Sequence, residues 1–334
     1  RAPLLVAAAQ HGHLGIAQWL VSQGADVNGA MADGCTALVV ASQRGFLSLV
    51  GWLDSQGANI NALVEDGATP LVVAAQNGHL GVVEYLVTHG ADLESKLTLN
   101  GETALVCAAQ RGHKHIVDWL AGHGADINAR TNDGLNVVHI AVAHGHLALL
   151  EVAASHKADL DATNQAGMPP LIVACELGKT KVIDWIVSNG GDPNVTSTSG
   201  ETAMMVASSR GHADVVECLL GHSADPNVKD KEGYGALHRA SLLGKHRVID
   251  ILATGGADLS LEAPDGNTPF IIACHKGHLV VAQALLRHGA KFDAAVKEKA
   301  LAGNYNRAMV QWLNEYVPPQ PLPLGYAQAP PTYC

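Results

Sequence analysis

The stretch Asp66-Gly67-Ala68-Thr69-Pro70-Leu71-Val72-Val73-Ala74-Ala75-Gln76-Asn77-Gly78-His79, continued by Val82-Val83-Glu84-Tyr85-Leu86-Val87 and closed by Gly90-Ala91-Asp92, decides the fold. Thr69 stands where a hydroxyl accepts from a first-turn N–H, and Pro70 takes a position whose own N–H would go unused. Ala74 and Ala75 let a neighbouring helix approach closely, and Gly78 ends the first helix. Val82, Val83, Leu86 and Val87 follow the i, i+1, i+4, i+5 stripe of a helix buried on one side. Gly90 supplies the left-handed residue that stops it. The unit reads as two short helices and a hairpin turn.

Outward from this stretch the same unit recurs. Gly34, Gly67, Gly101, Gly134, Gly167, Gly200, Gly233 and Gly266 are spaced by 33 residues, with one spacing of 34 between Gly67 and Gly101. A second ladder, Gly12, Gly45, Gly78, Gly112, Gly145, Gly178, Gly211, Gly244 and Gly277, keeps the same phase. Two ladders in phase define a repeat architecture, in which each unit buries its apolar face against its neighbours. The composition agrees: 35 glycines, 4% aromatic and 16% charged residues favour closely packed small helices over an aromatic-filled core.

The residues resemble the ankyrin repeat family. Its Thr-Pro-Leu-His signature has counterparts in Thr69-Pro70-Leu71, Thr268-Pro269-Phe270, Thr36-Ala37-Leu38, Thr103-Ala104-Leu105 and Thr202-Ala203-Met204, with the histidine kept at His139 and His238. Its closing Gly-Ala-Asp-x-Asn has counterparts in Gly24-Ala25-Asp26-Val27-Asn28, Gly57-Ala58-Asn59-Ile60-Asn61 and Gly124-Ala125-Asp126-Ile127-Asn128. The resemblance implies an all-α ankyrin-repeat solenoid of helix-turn-helix units with short β-hairpin fingers. It divides the chain into a partial first repeat at 1–30, eight complete repeats at 31–293, capping helices at 294–317 and a disordered Pro-rich tail at 318–334. The start inside a first helix reads as a repeat cut away upstream. Lys157 and Ser223 replace the helix-stopping glycine and carry a left-handed backbone cost. The extra residue between Gly67 and Gly101 falls in the finger Glu94 to Asn100, where Glu94 replaces the usual asparagine, so that finger is expected to protrude.

Several chemistries are weighed and set aside. The chain carries a formal charge of −10, and a nucleic-acid partner would require a basic face. No apolar run reaches the length of a membrane span. The six cysteines lie far apart, without zinc-ribbon or disulfide-scaffold spacing; they read as reduced thiols and place the protein inside the cell, in cytoplasm or nucleus. Gly178-Lys179-Thr180 mimics the end of a phosphate loop, but Val173 stands where the pattern needs glycine and the tripeptide follows a helix instead of preceding one. His13, His79, His113, His146, His212 and His278 share one repeat position, where family members use histidine to brace the loop, so no metal is expected. Trp19, Trp52, Trp119, Trp185 and Trp312 share a place in the second helix and read as packing between repeats. Asn28, Asn61, Asn128, Asn194 and Asn227 match a site of asparaginyl hydroxylation in some ankyrin repeats, but the simpler reading is a backbone bond within the hairpin. No His-Glu-x-x-His, Gly-x-Ser-x-Gly or Cys-x-x-Cys occurs. The chain is expected to be non-enzymatic, with no cofactor.

Resemblance to the family implies a protein partner held in a concave groove of finger tips and first-helix edges. The repeat phase places Gln43, Arg44, Gln76, Asn77, Gln110, Arg111, His144, Leu177, Arg210, Leu242, Leu243 and Lys276 on the helix edge, and Asp33, Glu65, Glu102, Leu135, Met168, Glu201, Tyr234 and Asp265 at the tips. Apolar residues on this polar edge mark a docking patch, and its strongest anchor is expected near Tyr234 and Leu243. The tail adds Pro-x-x-Pro spacing within Pro318 to Pro323, and Pro330-Pro331-Thr332-Tyr333 matches the pattern read by WW domains; SH3 or WW partners follow from these motifs. The functional reading is a scaffold or adaptor. The alternative is the targeting segment of a larger enzyme or channel whose catalytic part lies outside this chain.

Overall fold

The computed structural model describes residues 2–302 and 306–317. Among them are twenty α-helices, paired inner with outer: α1 (Ala2–Gln10) with α2 (Leu14–Ser22), α3 (Ala37–Arg44) with α4 (Leu47–Ser55), α5 (Pro70–Gln76) with α6 (Leu80–Thr88), α7 (Ala104–Gln110) with α8 (Lys114–Gly122), and α9 (Val137–His144) with α10 (Leu147–Ser155). The series continues with α11 (Pro170–Glu176) and α12 (Thr180–Ser188), α13 (Ala203–Arg210) and α14 (Ala213–Gly221), α15 (Ala236–Leu242) and α16 (His246–Thr254), α17 (Pro269–His275) and α18 (Leu279–Arg287), then α19 (Ala294–Leu301) and α20 (Arg307–Glu315). Each inner helix from α1 to α17 packs on the next inner helix and on its own outer partner, α19 continues the inner row, and the outer helices touch one another more sparsely. Leu71, Leu86, Leu120, Leu150, Ile186 and Leu219 are fully buried, which makes one continuous core out of units that could not enclose one alone.

The predicted caps form. The hydroxyls of Thr36, Thr69, Thr103, Thr202 and Thr268 accept from the backbone N–H three residues on, at 3.3 to 3.5 Å. The fingers are tight turns instead of strand pairs: a pair of backbone bonds such as Val64 N–H to the Ala68 carbonyl, 3.0 Å, and Gly67 N–H to the Val64 carbonyl, 2.8 Å, closes each, and the only strand-type pairing among the described residues is the bridge between Thr196 and Thr202. Consecutive fingers are tied tip to tip, Glu65 donating to Asp33, Thr98 to Asp66 and Asn132 to Asn100, at 2.7 to 2.9 Å. In the longer finger Leu97 closes on Glu102 instead of four residues on, and Leu99 protrudes at 86% exposure.

Two side-chain ladders stitch repeat to repeat. Asn28, Asn61, Asn128, Asn194 and Asn227 each accept from a backbone N–H of the next unit at 2.6 to 2.9 Å, and Glu94 does the same for Asp126 at 2.9 Å. His79, His113, His212 and His278 each bond a carbonyl in the last turn of the preceding inner helix, at 3.0 to 3.1 Å. Lys157 and Ser223 adopt φ of 57° and 63°, the left-handed backbone their repeat position demands.

His139 and His238 are buried at the start of their inner helices. His238 accepts from Gly235 N–H at Nδ1, 3.0 Å, and its Nε2 bonds the Leu261 carbonyl at 2.8 Å, a pattern that suits the neutral ring. Burial holds both histidines below their ordinary value of 6.5. Protonation therefore favours the unfolded chain: this contribution is intact above pH 6.5 and is lost as pH falls from there toward the folded values. Stability measured by denaturant titration is expected to fall between pH 7 and 5, with a limiting slope of about 1.4 kcal/mol per pH unit for each histidine. The double variant His139→Gln/His238→Gln should be less steep over that interval, and an equal slope would refute the assignment.

Candidate functional site

The inner face is lined by finger tips and the C-terminal ends of the inner helices. Along it Gln43, Arg44, Asn77, Arg111, His144, Leu177, Arg210, Leu242, Leu243 and Lys276 are exposed, while Gln76, Gln110 and Tyr234 are half-buried. Several are already engaged. Gln110 donates to the buried carboxylate of Glu102, which Cys107 also approaches at 3.7 Å, so Glu102 is an internal acceptor and not the exposed acidic tip its position suggested. Arg210 is paired with Glu176 of the preceding unit, and His144 stacks on His146 with centroids 5.5 Å apart. Leu135 and Met168, expected at the tips, instead pack against the core. Pro330, Pro331 and Tyr333 lie outside the described residues.

Concavities open at several places along this edge, among them one of about 440 Å³ between the fingers of Asp33, Asp66 and Leu99 and one of about 380 Å³ beside His144; the one that joins aromatic, aliphatic and charged walls lies nearer the carboxyl terminus. A groove of about 440 Å³ opens between α15 and α17, with Tyr234, Arg239, Leu242, Asn267, Ile272 and Lys276 on its walls. It gathers four of the expected positions, Tyr234, Leu242, Asp265 and Lys276. Leu243, the expected anchor, is 47% exposed at the end of α15 but does not line the groove. The seven other complete units carry Val40, Val73, Cys107, Ile140, Val173, Val206 and Ile272 at the position of Arg239. Arg239 is thus a charged residue set into an apolar row, and that row is the signal by which the sequence could have revealed it.

Arg239 is held from three sides. Its guanidinium bonds Asp230 Oδ2 at 2.6 Å and Glu201 at 3.2 Å, and it lies 5.9 Å from the centre of the Tyr234 ring. Asp230 is buried, and its other oxygen accepts from the backbone N–H groups of Glu232 and Tyr234, both at 2.9 Å. Two buried polar atoms of the groove residues have no hydrogen-bond partner among the described residues, Arg239 Nε and Asn267 Oδ1. One is a donor and the other an acceptor. The groove therefore combines an aromatic wall from Tyr234, aliphatic surface from Leu242 and Ile272, and the cationic side chains of Arg239 and Lys276, a mixture of apolar and charged groups that a peptide segment of a partner protein can meet.

A stack of two-helix units with linked fingers is a repeat solenoid of the protein-binding kind. The family model for ankyrin repeats, which describes three copies at a time, matches residues 1–64, 41–131, 108–197, 171–263 and 237–313. This chain belongs to the ankyrin repeat family. Members of that family generally serve as protein–protein interaction modules and are typically non-enzymatic. No curated protein matches the chain. Among the described residues no helix is long and apolar enough to cross a membrane.

Proposed function

We propose that this chain is a non-enzymatic intracellular scaffold or adaptor that holds a protein partner along its inner face, anchored in the groove between α15 and α17. The observation that carries this reading is the coincidence, in one concavity, of Tyr234 and Leu242 with the cationic side chains of Arg239 and Lys276. An aromatic beside an aliphatic residue in a partly enclosed recess is the usual core of a binding hot spot, and charged groups beside it give direction to whatever docks. The exposed positions Gln43, Arg44, Asn77 and Arg111 toward the amino terminus widen the contact. Pro330, Pro331 and Tyr333 supply a second, separate output for a WW domain, and Pro318 to Pro323 one for an SH3 domain.

Affinity purification from the source cells, followed by quantitative binding of the partner recovered, tests both outputs. The double variant Tyr234→Ala/Leu242→Ala is expected to weaken the groove partner at least about tenfold, since each hot-spot truncation costs on the order of 2 kcal/mol. Unchanged affinity would remove the groove from the interface. Deletion after Val317 should spare that partner and release only proteins that carry WW or SH3 domains.

A further inference from the structure

The outer helices carry a second pattern, unrelated to the groove. After α6 and α8, where the capping histidine follows an aromatic residue by four positions, it folds back on its own helix: His89 stacks on Tyr85 at 3.8 Å and His123 on Trp119 at 3.7 Å, each with its ring nitrogen on that residue's carbonyl at 2.7 Å. Where that position is not aromatic, as at Val152, Cys218 and Ala284, the histidine instead reaches an aspartate of the preceding unit. His156 meets Asp118 at 2.8 Å, His222 meets Asp184 at 2.8 Å, and His288 meets Asp250 at 2.9 Å. The three pairs are two repeats apart and share one geometry. They differ in the residue one turn before the histidine, and in only one of them is it a metal-ligating group.

From this we infer that Asp184, Cys218 and His222 form a site for a divalent transition metal of the Zn²⁺ type, bridging α12 and α14 on the outer face. The carboxylate oxygen, thiol sulfur and imidazole nitrogen lie within 4.8 Å of one another. Tetrahedral zinc with bonds of about 2.0 to 2.3 Å sets ligand atoms roughly 3.3 to 3.8 Å apart, so the His222–Asp184 contact opens by about half an ångström and the sulfur closes in. A carboxylate, an imidazole and a thiolate are a donor set that suits zinc, and the exposed side leaves a fourth position for water. Negative charge converges on the sulfur: with burial, the charges of Asp184 and Asp214 push the Cys218 thiol up. A bound cation reverses that field. The S–H bond breaks, its proton passes to solvent, and the sulfur bonds the metal as thiolate; the hydrogen that His222 Nε2 now directs at Asp184 leaves that nitrogen to solvent while Nδ1 takes up a proton, so that the neutral ring binds through Nε2. The site would clamp two repeats beside Ser223, whose φ of 63° makes this turn a strained one.

Cobalt(II) added to the reduced full-length chain is the probe, because a Co–S bond gives a near-ultraviolet charge-transfer band. One such band per chain, discharged by Zn²⁺, is expected. Cys218→Val should abolish it, and Asp184→Asn and His222→Gln should each weaken binding at least about tenfold, since even an outer-shell partner is worth ten- to a hundredfold. Val152→Cys, which places a thiol beside the His156–Asp118 pair, should add a second site. No band in the parent chain, a band that survives Cys218→Val, or one indifferent to both the Asp184 and His222 changes would overturn the assignment. Should Cys218→Val fail to fold, Val152→Cys decides alone: a doubled band supports the site and an unchanged one refutes it.

Discussion

Arg239→Leu is expected to destabilise the chain by about 3 kcal/mol, although leucine resembles what most other repeats carry at that position. Removing one partner of a buried ion pair leaves the other charge uncompensated, at a cost of about 3–5 kcal/mol. The low end applies here because Asp230 keeps two backbone donors, from Glu232 and Tyr234. Glu201, which also faces the guanidinium at 3.2 Å, would then stand near Asp230 without a cation between them. The physical cause is the stranded carboxylate and not the lost arginine, and this can be separated. Asp230→Asn keeps an oxygen for the turn and removes the charge, so Arg239→Leu/Asp230→Asn should recover most of the loss. Denaturant unfolding of the parent, the two single variants and the double variant gives the coupling energy directly. If Arg239→Leu were as stable as the parent, or if the second change recovered nothing, the account of Arg239 as the counter-ion of Asp230 would fail. Because the same side chain lines the groove, partner binding in these variants is to be compared only under conditions where each is fully folded.

Much of this molecule is legible in its sequence because a repeat reports its own structure many times over. The two glycine ladders place every inter-helix turn, and the threonine and proline positions place the inner-helix starts. Asn28, Asn61, Asn128, Asn194 and Asn227 mark the unit-to-unit bonds that the structure contains. What repeat phase does not encode is how a side chain settles among neighbours from two units. Glu102 reads as an exposed acidic tip, but it is drawn inside by Gln110 and Cys107 beneath the longer finger. Leu242 and Leu243 are adjacent and equally apolar, and the turn of α15 alone sends one to the groove and leaves the other outside it. Arg239 was visible as a break in an aliphatic row, yet its meaning needed Asp230, nine residues earlier, and Glu201 in the unit before. The Asp184, Cys218 and His222 cluster was hidden for the same reason: its ligands come from two repeats, and repeat phase does not say that His222 turns toward Asp184.

The second large effect concerns cooperativity. Leu150 in α10 is fully buried near the middle of the array, and Leu150→Ala is expected to cost about 3–5 kcal/mol from lost burial and the cavity left behind. In a compact domain that loss would lower a single transition. Here each unit contacts only its neighbours, so a weak unit in the middle weakens the connection between two halves that can each stay folded on their own contacts. Leu150→Ala should therefore broaden denaturant unfolding or split it into two steps, each with a smaller dependence on denaturant because each exposes less surface. Leu5→Ala removes an equally buried leucine from the first unit described and should only fray that end, leaving the main transition in place. A single transition of unchanged steepness for Leu150→Ala would contradict nearest-neighbour stabilisation. The same experiment bears on the groove. Its walls belong to the units of α15 and α17, which stack on α13 and α19 and are separated from α10 by the units of α11 and α13. At a denaturant concentration where only the amino-terminal half of Leu150→Ala has melted, the groove should keep its affinity for the partner, and loss of binding in step with the first transition would place the essential contacts at Gln43, Arg44, Asn77 and Arg111 instead.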